Sequence, residues 1–424
     1  MVYMLFGSLA LFIIIGTPIA ISVGLSSIMA IFYQGIPFIA AIQRFFTASD
    51  SFPLLAIPFF MLAGKLMEFG GISRRLIKLA NNLVGFVEGG LGVVSVLACL
   101  FFGAICGSST STVAAIGSMM IPAMVENGYS KKFACALIAT AASLGILIPP
   151  SIPMIVYGVV MGVSITDLFV AGIGAGLFCG LLLIFYIIIR SRISGFKGNV
   201  KKPTVLETLT SFKDAILAIF MPLIVLGGIY SGIFTPTEAA AVACIYSFII
   251  GFFIYHEITF ENIPNIILSS MQNTAVVMLI IAASSSFGWI ITMARIPQNI
   301  TAAILSLTLH PSLVIIGMLL FLVFIGTFME GNAYIIILAP LFAPLISSLG
   351  VNLVLFGVVM VVSVCVGTIT PPLGVNLFTT CSIYPVTIEE ISTEVVPFVL
   401  IMSFSLVVLT FVPEISLFLV NLGR

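Results

Sequence analysis

The sequence predicts an all-α polytopic membrane protein made of two inverted repeats. Each repeat holds a re-entrant helical hairpin and a transmembrane helix broken at a Pro-Pro pair. Three observations carry this. Of 424 residues, 61% are hydrophobic and 7% charged, with mean hydropathy +1.32, whereas soluble domains carry about 25% charged residues. The charges divide the chain into long charge-free runs, and one set of motifs occurs twice. So few charges cannot cover a soluble surface. That excludes a soluble enzyme, a nucleic-acid binder and a disordered scaffold, and leaves helices spanning a bilayer.

Fifteen basic residues balance fifteen acidic ones, so no charged tail points to a polyanionic partner. Cys99, Cys106, Cys135, Cys179, Cys244, Cys365 and Cys381 lie in apolar stretches without a C-x-x-C pair and read as small buried hydrophobes. His256 and His310 sit near segment ends and read as interfacial. The start lacks a basic n-region and an A-x-A site, which argues against a cleaved signal peptide.

The first repeat, 1–190, opens with scaffold helices over 1–70. Its charge-free start is either two short crossings or one long kinked helix. Ile72, Leu76, Leu79, Leu83 and Phe86 step by four and three beside Arg74, Arg75 and Lys78. This predicts an amphipathic arm helix over 72–88 on the membrane surface, with a plain loop as the alternative. Lys65, Arg74, Arg75 and Lys78 form one basic cluster, Lys131 and Lys132 a second, and Arg190, Arg192, Lys197, Lys201, Lys202 and Lys213 a third. The positive-inside rule places all three in the cytoplasm. The apolar stretch between the first two, 90–128, is too short for two crossings of about 20 residues each and is interrupted by Gly107-Ser108-Ser109-Thr110-Ser111-Thr112. It therefore reads as a re-entrant hairpin. A broken helix over 131–160 and a crossing over 168–190 follow, with Asp167 at the outer turn. The polar stretch 191–212 is a cytoplasmic linker. The second repeat, 213–424, has scaffold helices over 213–294, an arm helix over 297–309, a hairpin over 312–349 and a broken helix over 352–383.

The repeat rests on landmarks. Thr17-Pro18 recurs as Thr235-Pro236, Gly103 as Gly326, and Gly145-Ile146-Leu147-Ile148-Pro149-Pro150-Ser151 as Gly367-Thr368-Ile369-Thr370-Pro371-Pro372-Leu373, at offsets of 218, 223 and 222. Five crossings between the hairpins make their entry faces opposite, the plan of inverted-repeat secondary transporters.

Each Pro-Pro removes helical donors and frees nearby carbonyls, which are costly in a low-dielectric core unless something satisfies them. A bare monovalent cation such as Na⁺ meets that need, and half-helix ends supply favourable dipoles. Two cation sites are expected. One joins Gly103, Gly145, Ile148 and Ser151 with Ser108 nearby. The other joins Gly326, Gly367, Thr370 and Leu373 with Asn332 nearby. The alternative is that Pro-Pro only kinks packed helices. Ser108, Ser109, Thr110, Thr112, Asn332 and Asn376 are candidate substrate contacts or interhelical hydrogen bonders. Glu330, the one acid at a tip, is either a functional intramembrane acid or a vestibule residue. Lys65 and Glu238 read as snorkelling or interfacial.

Gly103-x-x-x-Gly107-Ser108-Ser109-x-Ser111-Thr112, Gly145–Ser151, Thr235-Pro236-Thr237-Glu238-Ala239 and Gly367-x-x-Thr370-Pro371-Pro372-x-Gly374 together resemble the large membrane subunit of tripartite ATP-independent periplasmic (TRAP) transporters, DctM-like, over residues 3 to 420. The resemblance implies an elevator-type, Na⁺-coupled importer of organic acids of the C4-dicarboxylate or sialic acid type in the bacterial inner membrane, with no enzymatic activity. It implies two partners, a small four-helix membrane subunit, here expected as a separate chain, and a periplasmic substrate-binding protein. The alternative is a stand-alone ion-coupled carboxylate carrier needing no binding protein. An ATP-driven pump and an intramembrane enzyme are disfavoured, because the sequence has no G-x-x-x-x-G-K-[ST] and offers no H-E-x-x-H or paired intramembrane acids.

Overall fold

A computed structural model describes residues 1–196, 202–307 and 310–422. Lys197, Lys201 and positions 308–309 of the expected second arm lie outside the described residues. Every regular element among the described residues is a helix, and seven are long and apolar enough to cross a membrane.

The N-terminal stretch is two helices, α1 (Val2–Ile14) and α2 (Ile19–Tyr33), packed on each other. Gly16, at φ +85°, and Pro18 separate them. That settles the choice left by the sequence against one kinked helix. Then come α3 (Ile39–Ser49), a 3₁₀ turn Phe52–Leu55 and α4 (Ala56–Phe69). The arm is α5 (Ile72–Val84), with Ile72, Leu76 and Leu79 buried and Leu83 exposed. Its charged face is pinned rather than free: Arg75 pairs with Glu257 at 2.6 Å and lies 3.6 Å from the Tyr255 ring centre, and Lys78 pairs with Asp214 at 3.3 Å.

The first hairpin is α6 (Gly90–Cys106) and α7 (Ser109–Glu126). Arms of 17 and 18 residues reach about 25 Å at 1.5 Å per residue, short of the roughly 30 Å hydrocarbon core. The first broken helix is α8 (Lys131–Ser143), a 3₁₀ turn Leu144–Ile146, the cis Pro149–Pro150 bond and α9 (Ile152–Met161). α10 (Ile165–Ser194) and α11 (Val205–Tyr230) run into both ends of the expected linker 191–212. Thr204 and Glu207 close a capping box that starts α11 inside the polar stretch.

α12 (Pro236–Ile249) ends in a π turn, Ile250–Ile254, and α13 (Ile263–Met293) follows. The second arm is α14 (Ile296–Ser306), and the second hairpin is α15 (Pro311–Gly326) with α16 (Gly331–Ser348). The second broken helix is α17 (Leu353–Thr368), the cis Pro371–Pro372 bond and α18 (Val375–Ile383). α19 (Ile388–Phe411) and α20 (Glu414–Leu422) end the described chain.

Helices α2, α4, α12 and α13 pack into one group, with α4 against both α12 and α13. The hairpins and broken helices form another, joined reciprocally: α18 packs on α7 and α8, and α9 packs on α16 and α17. Asn376 on α18 donates to the Ala139 carbonyl of α8 at 3.0 Å, while the Tyr157 hydroxyl on α9 donates to the Leu353 carbonyl of α17 at 2.7 Å. The deepest burial lies in α8, where Phe133 to Ser143 are all buried, and in α17, where Val354 to Thr368 are. A charge there has no solvent to reach, which is why the breaks carry none.

Candidate functional site

Each hairpin's first arm crosses its broken helix at a glycine pair. A Cβ on Gly103 would lie 2.0 Å from Gly145 Cα, and a Cβ on Gly367 would lie 2.4 Å from the Gly326 carbonyl carbon. Only hydrogen fits, so the backbones meet directly. The sequence marked these four glycines for their carbonyls; their lack of a side chain is a second requirement.

The breaks leave some carbonyls satisfied and others not. Leu147 and Ile148 N–H donate to Leu144 O, Ser151 Oγ donates to Ile146 O at 2.5 Å, and Thr370 N–H donates to Gly367 O at 3.1 Å. Gly103 O accepts from Gly107 N–H at 2.9 Å. The carbonyls of Gly145, Ile148, Gly326 and Thr370 accept no hydrogen bond among the described residues. These are hard, neutral oxygens next to the crossings, the donor type that suits a small hard cation. Ser151 caps α9, accepting from Met154 N–H at 3.3 Å. Its counterpart Leu373 is 43% exposed, and Gly374, at φ +30°, opens α18. The second break is therefore the more open.

The tips differ in charge. Ser108 is the N-cap of α7, accepting from Ser111 N–H at 3.5 Å, and Thr112 Oγ1 donates to Ser108 O at 2.8 Å. At the matching position Glu330 caps α16: Oε2 accepts from Asn332 and Ala333 N–H at 2.9 and 3.1 Å, and Oε1 accepts from Asn332 Nδ2 at 2.8 Å. Its carboxylate is thus held by three donors of its own tip.

Both tips border a central cavity of about 240 Å³. Ser108, Ser109, Thr110 and Asn332 line it as the sequence anticipated, with Glu330 beside them. Thr112 is buried at the first glycine crossing, and Asn376 is buried against α8, so neither lines the cavity. Gly103, Gly145, Ile148, Ser151, Gly326, Gly367, Thr370 and Leu373 lie outside its wall, while Ile146, Ile152, Thr368 and Val375 form part of it. Asn332 Oδ1 and Asn376 Oδ1 are buried without a hydrogen-bond partner.

Two further residues have partners the sequence did not assign. Lys65 pairs with Glu68 at 2.7 Å and both line the cavity from α4, as Asn273 does from α13. The signal was present, since an ionisable residue inside an apolar span is a functional candidate by default. Glu238 is exposed and closes the capping box at the start of α12.

The whole chain has recognisable relatives. Residues 6–415 match the family model described as "Tripartite ATP-independent periplasmic transporter, DctM component". The isethionate TRAP transporter permease protein DctMQ of Oleidesulfovibrio alaskensis is 42% identical over 98% of this chain, which spans 65% of that longer protein. The C4-dicarboxylate TRAP transporter large permease protein DctM of Pseudomonas aeruginosa is 40% identical, covering 89% of this chain and 88% of its own. The sialic acid TRAP transporter large permease protein SiaM of Vibrio cholerae is 34% identical over 100% of this chain and 99% of its own. The YdaH transporter of Alcanivorax borkumensis, at 17% identity, shares the fold with TM-score 0.62 over 91% of this chain and 88% of its own. The chain is a multi-pass membrane protein and belongs to the DctM component family of the tripartite ATP-independent periplasmic transporters.

Proposed function

We propose that this chain is the large transmembrane subunit of a Na⁺-coupled secondary importer of organic acids in a bacterial inner membrane. It receives substrate from a periplasmic binding protein and works beside a small four-helix membrane subunit. The two repeats are inverted, and the hairpins with their broken helices move as one body against α2, α4, α12 and α13. The observation that carries this reading is the pair of glycine crossings at matching places in both repeats, each with two unbonded carbonyls beside it. One Na⁺ site uses the carbonyls of Gly145 and Ile148, with Gly103, Ser108 and Ser151 around it. The other uses those of Gly326 and Thr370, with Gly367, Leu373 and Asn332 around it. Substrate occupies the cavity between the tips, touching Ser109, Thr110 and Asn332.

A moving body needs a firm interior and a weakly bonded border. The reciprocal Asn376–Ala139 and Tyr157–Leu353 bonds tie the broken helices to each other, which supports their moving together. The names of the relatives favour a binding-protein-dependent importer over a stand-alone carrier. The test is uptake of a radiolabelled organic acid into liposomes holding the chain and its small subunit, with the loaded binding protein outside. Uptake should require both an inward Na⁺ gradient and the binding protein. Equal uptake without either overturns the reading.

A further inference from the structure

Charges around the cavity are unevenly placed. One cationic side chain, Lys65, and two acids, Glu68 and Glu330, line it among the described residues. Lys65 belongs to α4, whose Gly64 meets the end of the first hairpin arm so closely that a Cβ there would lie 2.7 Å from Cys106 Cβ. Lys65 therefore stands beside the first tip, where the α7 N-terminus is capped by the neutral Ser108. The first-turn N–H groups there favour an anion. At the second tip Glu330 already occupies the Asn332 and Ala333 N–H groups and sets a negative charge against any second anionic group. The buried, unpartnered Asn332 Oδ1 on the cavity wall calls for a donor.

We propose that the cavity selects a hydroxylated organic monoanion, with Lys65 as its counter-charge on α4 and a substrate hydroxyl donating to Asn332 Oδ1. This rests on the importer reading above and narrows its substrate class. With two Na⁺ bound, the cavity's two acids and one lysine leave a single positive charge, so a monoanion closes the site neutral and a dianion leaves a buried excess charge, which is costly. Without substrate, Glu68 holds the ammonium at 2.7 Å. Substrate competes for it, so removing Glu68 strengthens anion binding while removing Lys65 weakens it. A lysine–glutamate pair that only stabilised α4 would respond to both changes with the same sign.

The experiment is thermal unfolding of the purified full chain in detergent with NaCl, titrated with choline salts of 2-hydroxyethanesulfonate, N-acetylneuraminate or succinate. At least one of the two monoanions should stabilise the wild-type chain saturably, and succinate should stabilise it at least tenfold less potently. Lys65→Gln should raise the half-saturating monoanion concentration about tenfold or more, the loss of one charge-assisted hydrogen bond. Lys65→Arg should largely retain binding, and Glu68→Gln should lower the half-saturating concentration. Stabilisation by succinate as potent as by either monoanion, no response to any of the three anions, or an unchanged response in Lys65→Gln overturns the proposal. The same titrations repeated with choline chloride in place of NaCl separate the two failures, because absence of any Na⁺ effect between the two series defeats the importer reading itself.

Discussion

At the scale of single residues, the glycine crossings make asymmetric demands. A Cβ on Gly367 would sit 2.4 Å from the Gly326 carbonyl carbon, but one on Gly326 finds its nearest atom at 3.4 Å. Gly367→Ala should therefore cost about 1–3 kcal/mol through overpacking and lose Na⁺-dependent stabilisation. Gly326→Ala should change thermal stability little, helped by a helix-propensity gain of up to about 1 kcal/mol. Equal effects in thermal unfolding would contradict the crossing geometry. Asn376 makes a different kind of demand, since its amide joins α18 to the buried Ala139 carbonyl at 3.0 Å. Asn376→Leu removes that second hydrogen bond to a carbonyl already inside α8 and should cost about 0.5–1.5 kcal/mol, read as a lower midpoint in unfolding. An unchanged midpoint would remove Asn376 from the bonding that joins α18 to α8.

At the scale of elements, the arm α5 is anchored by charge as well as by its apolar stripe. Arg75→Ala removes the 2.6 Å pair to Glu257 and the stacking on Tyr255. The pair is about a quarter exposed, so the expected loss is about 1 kcal/mol, with no change in the Na⁺ concentration for half-stabilisation. A shifted Na⁺ dependence would tie the arm to the cation sites. The helix breaks at Pro149–Pro150 and Pro371–Pro372 are legible in the sequence, because Pro-Pro acts locally on the chain. The extent of the linker was misjudged although Thr204-x-x-Glu207, a capping box, spells the start of α11. A lysine inside an apolar span is a local signal, but its cavity exists only once α4, α13 and both tips converge, and no local pattern encodes that. Glu330 was left open for a related reason: its role depends on which N–H groups end beside it. Asn376 resembled a tip residue in sequence, yet α18 turns it toward α8.

For the whole molecule, the account requires the hairpin body to slide past α4. Gly64 and Cys106 touch across that border. A Cβ on Gly64 would lie 2.7 Å from Cys106 Cβ and 3.0 Å from its Cα, so Gly64→Leu should overpack the border and cut uptake at least tenfold while leaving saturable Na⁺ stabilisation in place. Full transport in Gly64→Leu would exclude sliding at this contact. The central claim, that two glycine-crossed and proline-broken backbones hold Na⁺ with main-chain oxygens, is reached most directly by an unfolding titration of NaCl against choline chloride at constant ionic strength. Stabilisation should be saturable and specific to Na⁺, about 2.7 kcal/mol per site at a hundredfold excess over Kd, and reduced in both Gly145→Ala and Gly367→Ala. Equal stabilisation by choline chloride, or a full Na⁺ response in both variants, would contradict it.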